Sequence, residues 1–198
     1  MKSFGHFDDA FREYVITDPA TPWPWINYMG TEDFFSLISN TAGGYCFCKD
    51  AKFRRILRYR YNGVPMDDGG RYYYIKDGDT VWNPGWKPCK TPLDFYECRH
   101  GMGYTRVTGE KDGLKADVLF FVPIGHRCEV HRVKLTNTGA AKKSFSSIPS
   151  WNGAFGTRRR IWRTSSGTCP PARWRSRGTS CTTRPNTASA ATITPSSV

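Results

Sequence analysis

Acidic residues run out before the chain does. Beyond Glu129 there is no Asp or Glu, beyond Lys143 no Lys, and beyond Leu135 no Leu. Residues 1–150 hold 21 Lys or Arg against 17 Asp or Glu, whereas residues 151–198 hold 8 Arg and no acid. Two thirds of the formal net charge of +12 therefore sits in the last quarter. The rest is near balance and shows no nucleic-acid motif, so charge makes no case for a nucleic-acid partner. Long apolar runs are also missing. Met1–Asp9 carries acids and no apolar stretch, so no secretion signal is expected there, and no segment long enough to cross a bilayer is expected either. Histidine is scarce: His6, His100, His126 and His131 are scattered and fit structural positions better than ligand positions. The seven cysteines are an odd number; Cys46 and Cys48 form a C-x-C pair, while Cys89, Cys98 and Cys128 fit no metal-ligand spacing. Reduced thiols in a cytoplasmic protein, with no metal and no cofactor, are the expectation.

What is present is aromatic and β-like. Phe, Trp and Tyr make up 15% of the 198 residues, which suits pleated surfaces and also suits a sugar-binding protein. Thr21-Pro22-Trp23-Pro24-Trp25 cannot be helical, because Pro24 forces Trp23 into extended geometry. Asp33–Asn40 fits a helical turn or a strand, and Gly43-Gly44 ends it. From Tyr45 onward short alternating runs are punctuated by turns: Arg54–Tyr61, Arg71–Lys76, Thr80–Trp82, then a Pro-rich loop to Pro92. The strongest hairpin pairs Gly103–Thr108 with Leu114–Val122 around Glu110–Gly113. Cys128–Thr136 forms a further strand, and Asn137-Thr138-Gly139 closes it. Such spacing means an all-β antiparallel sandwich or barrel. The segment after about residue 147 has neither period. Arg, Ser, Thr, Pro and Ala dominate it, and an irregular C-terminal tail is expected there, although Trp151, Trp162 and Trp174 are unusual for disorder.

Three long strings carry a resemblance. They are FGHFDDAFREYVITDPATPWPWINYMG from Phe4, EDFFSLISNTAGGYCFCKDAKFRRILRYRYNGVP from Glu32, and GGRYYYIKDGDTVWNPGWKPCKTPLDFYECRHGMGYTRVTGEKDGLKADVLFFVP from Gly69. Together they resemble the amino-terminal β-sandwich of glycoside hydrolase family 94, on its cellobiose phosphorylase branch. The family usually reads G-G-Y-S-F-Y where this chain has Gly43-Gly44-Tyr45-Cys46-Phe47-Cys48. The resemblance implies an incomplete supersandwich of the galactose-mutarotase-like kind over residues 1–147. It also implies that residues 148–198 are an out-of-frame tail. Shifted by one nucleotide, plausible codons for Ser150–Thr157, Arg163–Gly178 and Cys181–Ser197 give successive segments like those of the family. A mutation and a sequencing error both fit such a slip.

The implied chemistry is inverting phosphorolysis. Inorganic phosphate attacks the anomeric carbon of cellobiose while a carboxylic acid protonates the leaving oxygen, giving α-glucose 1-phosphate and glucose. In the family the catalytic acid and phosphate site lie on a downstream helical barrel, so no catalytic residue is assigned here; Asp8, Asp9 and Asp94 fit solvated loop or capping roles. The sandwich helps build a homodimer and reaches toward the neighbouring subunit's sugar site. Trp23, Trp25, Tyr45 and Cys48, the last two on a Gly43–Cys48 loop, are the candidates for that edge, weighed against core packing and a tight turn. The basic run Lys52, Arg54, Arg55, Arg58 and Arg60 fits a solvated strand face better than a phosphate patch. A free-standing carbohydrate-binding module is the alternative; its open sheet edges count against it.

Overall fold

The computed structural model describes residues 3–51, 54–57, 69–140, 143–151, 179–183 and 188–193. In chain order the strands are β1 (Gly5–Asp8), β2 (Glu13–Ile16), β3 (Ile26–Thr31), β4 (Phe34–Ser39), β5 (Gly44–Cys48), β6 (Arg71–Asp77), β7 (Thr80–Trp82), β8 (Phe95–Gly101), β9 (Tyr104–Lys111), β10 (Leu114–Phe121), β11 (Val130–Asn137), β12 (Lys143–Trp151), β13 (Thr179–Thr183) and β14 (Ala188–Ile193). They build a seven-stranded sheet in the order β1-β2-β8-β9-β10-β11-β14, a four-stranded sheet β13-β12-β6-β7, and a three-stranded sheet β3-β4-β5. All pairings between these strands are antiparallel, and the described residues contain no helix. The all-β antiparallel sandwich expected from the sequence is the observed architecture.

Local chemistry accounts for the central hairpin. In β10 the buried positions alternate strictly, so Leu114, Ala116, Val118 and Phe120 point inward. Lys111 pairs with Leu114, leaving Asp112 and Gly113 as a two-residue turn with φ of 50° and 75°. Both positions are left-handed, the conformation that matches the twist of the flanking strands and that Asp-Gly adopts readily. The Asp33–Asn40 ambiguity resolves as strand: Phe34, Ser36 and Ile38 face the core, and Phe34 pairs with Thr31 across a tight turn.

The larger core cluster draws on all three sheets, with Ile16, Phe34, Ile38, Tyr73, Val107 and Phe120 among its buried members. A smaller one gathers Ile75, Trp82, Leu114, Ala116 and Phe145 between the two larger sheets. Burial of this scale is the main stabilising term, at roughly 25 cal/mol per Å² of apolar surface.

One expectation needs correction. Gly43–Cys48 is not a loop: Gly44–Cys48 forms β5, because Tyr45, Cys46 and Phe47 alternate across the sheet and pair with β4. The pairing of β12 with β6 runs from Ser146 to Trp151. Beyond residue 151 the described residues are two short strands, β13 paired with β12 and β14 with β11. Open edges of β11 and β12 supply backbone partners whatever the side-chain period, which explains strands where the sequence shows none. Residues 152–178, with Trp162 and Trp174, lie outside the described residues, as do Lys52, Arg58 and Arg60 of the basic run. Arg54 is exposed, and Arg55 bridges to Phe47.

Candidate functional site

The Pro-rich segment before β3 is pinned by Asn40, which is fully buried. The Asn40 Oδ1 accepts from the Trp25 amide at 3.2 Å, its Nδ2 donates to the Pro19 carbonyl at 3.4 Å, and its own carbonyl accepts from Tyr96 Oη at 2.6 Å. Trp25 is thereby held half-buried, its ring 5.7 Å from Tyr14 and edge-on to Phe4 at 6.0 Å. Its carbonyl accepts from His100 Nε2 at 3.1 Å, while His100 Nδ1 lies 3.0 Å from the Thr105 hydroxyl. Burial lowers the His100 pKa, and a neutral ring with its proton on Nε2 satisfies both bonds. Trp23, by contrast, is 66% exposed.

Next to this cluster an open cleft of about 700 Å³ lies between the β1–β2 hairpin, β3 and the β8–β9 turn. Phe7, Tyr14 and Tyr28 supply rings, Asp8, Asp9 and Glu13 carboxylates, and Met102 and Gly103 the far rim. The rim is fixed by Asn27, whose Nδ2 donates to the Gly101 and Tyr104 carbonyls at 2.9 Å each. Beneath it Arg99 forks: Nε donates to Glu97 Oε1 at 2.7 Å, and Nη1 to Glu13 Oε2 at 2.8 Å and Asp8 Oδ2 at 3.1 Å. Hydrogen bonds donated to Glu97 and Glu13 raise the Arg99 pKa. Arg99 sits directly opposite Arg106 on β9, and Arg106 in turn meets Asp117 at 3.1 Å, so each guanidinium has its own acid.

Tyr45 and Cys48 stand elsewhere. Tyr45 stacks on Phe47 at 5.9 Å, Phe47 on Phe35 at 5.4 Å, and the Arg55 guanidinium lies 6.0 Å from the Tyr45 ring. Cys48 is half-buried, its amide bonded to the Arg54 carbonyl at 3.0 Å. Trp25 and Tyr45 both pack against the large core cluster, but in different aromatic groups. The four candidate residues are thus not gathered into one constellation.

A buried polar network joins the three sheets. Arg71 on β6 donates from Nη2 to Ser36 Oγ on β4 and to Glu129 Oε2, both at 2.7 Å, and from Nη1 to the Leu37 carbonyl at 3.2 Å. Glu129 Oε1 accepts from His131 Nε2 at 2.6 Å, and His131 Nδ1 faces Tyr73 Oη at 2.7 Å. Burial works against the Glu129 carboxylate, yet Arg71 and His131 prevail and hold its pKa far below the usual carboxylate range. Burial first, and then the Glu129 charge, push the neighbouring Cys46 thiol up to about 12. Ser36 also donates to Glu129, so the carboxylate is fully engaged. This is a structural cluster, inert as a nucleophile.

Sequence reasoning missed both the cleft and this network. The FGHFDDAFREY string did place rings beside acids, but Phe7 and Met102 meet only through the fold. The histidines divide: His100 and His131 are structural, while His6 and His126 are exposed. Among the described residues no group of three or more His, Cys, Asp or Glu is placed to hold a metal, and no helix is long and apolar enough to cross a membrane.

Comparison with known proteins agrees with this architecture. Residues 12–157 match the family described as Glycosyl hydrolase 94, supersandwich domain. The chain is 38% identical over 149 residues to N,N'-diacetylchitobiose phosphorylase of Vibrio furnissii, covering 73% of this chain and 18% of that protein. It is 34% identical over 152 residues to 3-O-beta-D-glucopyranosyl-beta-D-glucuronide phosphorylase of Paenibacillus borealis, covering 76% and 18%. With solabiose phosphorylase of the same organism identity is 37% over 144 residues, covering 69% and 18%. The chain therefore spans less than a fifth of the length of these relatives. Its described strands and its match over most of its length place it without ambiguity: the chain belongs to glycosyl hydrolase family 94, as a supersandwich domain.

Proposed function

We propose that this chain is the sandwich portion of a disaccharide phosphorylase, with cellobiose as the disaccharide. The observation that carries the reading is the family match over residues 12–157, joined to the relatives at 34–38% identity, which are named as phosphorylases. In the whole enzyme, inorganic phosphate displaces glucose from cellobiose with inversion, an acid on a separate helical barrel protonating the leaving oxygen. No cofactor takes part. The sandwich contributes to a cytoplasmic homodimer and presents Trp23, Trp25, Tyr45 and Cys48 toward sugar. Trp23 supports this by its exposure. Tyr45 and Cys48 support it by their place on the three-stranded sheet, beside a row of rings. The names of the relatives cover several disaccharides, so cellobiose rests on the quoted strings.

The test is a chimera in which residues 12–147 replace the matching segment of the Vibrio furnissii enzyme. Phosphorolysis of its own substrate should persist, and a gain of cellobiose turnover would support the finer reading. A correctly folded, dimeric chimera without phosphorolysis of either sugar would sink it. Out-of-frame translation after about residue 147 belongs to the same proposal. It rests on the acid-free, Arg-only charge of residues 151–198. Coding DNA around residues 144–150 decides it: an intact frame there, agreeing with the residues as written, removes the slip.

A further inference from the structure

We propose that the cleft between the β1–β2 hairpin, β3 and the β8–β9 turn is a surface site for a neutral oligosaccharide, separate from the Trp23, Tyr45 and Cys48 positions. Sugar as the ligand class rests on the reading above; the place and the charge preference rest on the cleft. Its volume of about 700 Å³ falls among small-molecule sites, which run to roughly 300–1,000 Å³. Phe7 touches Tyr14 edge-on at 4.8 Å and stays 77% exposed, and Tyr28 is 72% exposed, so two ring faces are open across one cavity. Open rings cover the C–H faces of pyranoses, while carboxylate oxygens accept hydroxyl donors. Asp8, Asp9 and Glu13 line the same cavity, with Arg12 the one cation lining it among the described residues. Acceptors thus outnumber cations on the wall, which favours a neutral polyol over a phosphate-bearing sugar. The site is preorganised: Arg99 fixes Asp8 and Glu13, and Asn27 fixes the rim, so little ordering is left to the ligand.

The experiment titrates the full 198-residue chain with cellotetraose and, separately, with glucose 1-phosphate, by calorimetry. Cellotetraose should bind saturably and glucose 1-phosphate at least about tenfold more weakly. Phe7→Ala and Tyr28→Ala, at exposed positions that leave the core intact, should each weaken cellotetraose about tenfold. Trp23→Ala should leave that affinity unchanged; an effect of Trp23→Ala with none of Phe7→Ala or Tyr28→Ala would move sugar binding to the other surface and overturn the cleft. Absence of cellotetraose binding would overturn it too. So would concentration-dependent self-association abolished by Phe7→Ala, which would make the cleft a protein interface. Because these arms need no phosphorolysis, failure of the chimera above leaves them readable.

Discussion

Arg71 and Glu129, 58 residues apart in sequence, meet in the core, Arg71 Nη2 lying 2.7 Å from Glu129 Oε2. Arg71 belongs to the four-stranded sheet, Glu129 precedes β11 of the seven-stranded sheet, and their shared partner Ser36 belongs to the three-stranded one. The pair is thus the polar joint of the sandwich.

Removing one partner leaves an uncompensated charge in the core. Glu129→Ala should cost about 3–5 kcal/mol of stability. The double variant Arg71→Met with Glu129→Leu should lose less than either single change, since no charge is stranded. Urea denaturation of the three variants measures this; a double variant as unstable as the sum of the singles would contradict it.

Acid should loosen the same joint. The Glu129 carboxyl is depressed in the folded chain relative to its ordinary value of 4.5. A depressed acid contributes its full stabilisation above the unfolded value and loses it as pH falls through the window below. The urea midpoint should therefore hold from neutrality to about pH 5 and drop on further acidification. Glu129→Gln should start lower and respond less to acid. Parallel acid profiles for the two proteins would show that another group dominates.

Thiol reactivity should follow burial. Cys46 and Cys98 are 3% and 0% exposed. Burial pushes Cys46 up to about 12 and raises Cys98 as well. Cys48 and Cys128 are half-buried. Iodoacetamide at about pH 8 should label Cys48 and Cys128 in the native chain, and reach Cys46 and Cys98 only in denaturant. Peptide mass mapping reads the order, and early labelling of Cys46 would refute it.

The central hairpin should tolerate no side chain at its second turn residue. Gly113 has φ of 75°, and a Cβ there would lie 3.2 Å from the Gly139 backbone. Gly113→Ala should cost about 1–2 kcal/mol from the left-handed conformation alone, with the contact adding to it. A thermal midpoint equal to that of the parent chain would count against this turn geometry.

Much of this was legible from residues alone. The alternation of Leu114–Phe121 and the Asp112-Gly113 signal fixed a hairpin, because a period of two and a left-handed turn are local properties. Long continuous strings carried the family. The β texture from Tyr45 onward was legible, but Gly43-Gly44 looks like a break, and the pairing of Gly44–Cys48 with the β4 edge was not. Nor could the sequence place Phe7 opposite Met102, Asn27 against the β8–β9 turn, or Arg71 upon Glu129. Those contacts are separated by tens of residues and depend on sheet order and register, which no local period encodes. The sequence by itself determined which faces would be buried and where the chain would turn; the tertiary structure decided which distant polar groups meet, because only a packed core forces each buried charge to find its partner.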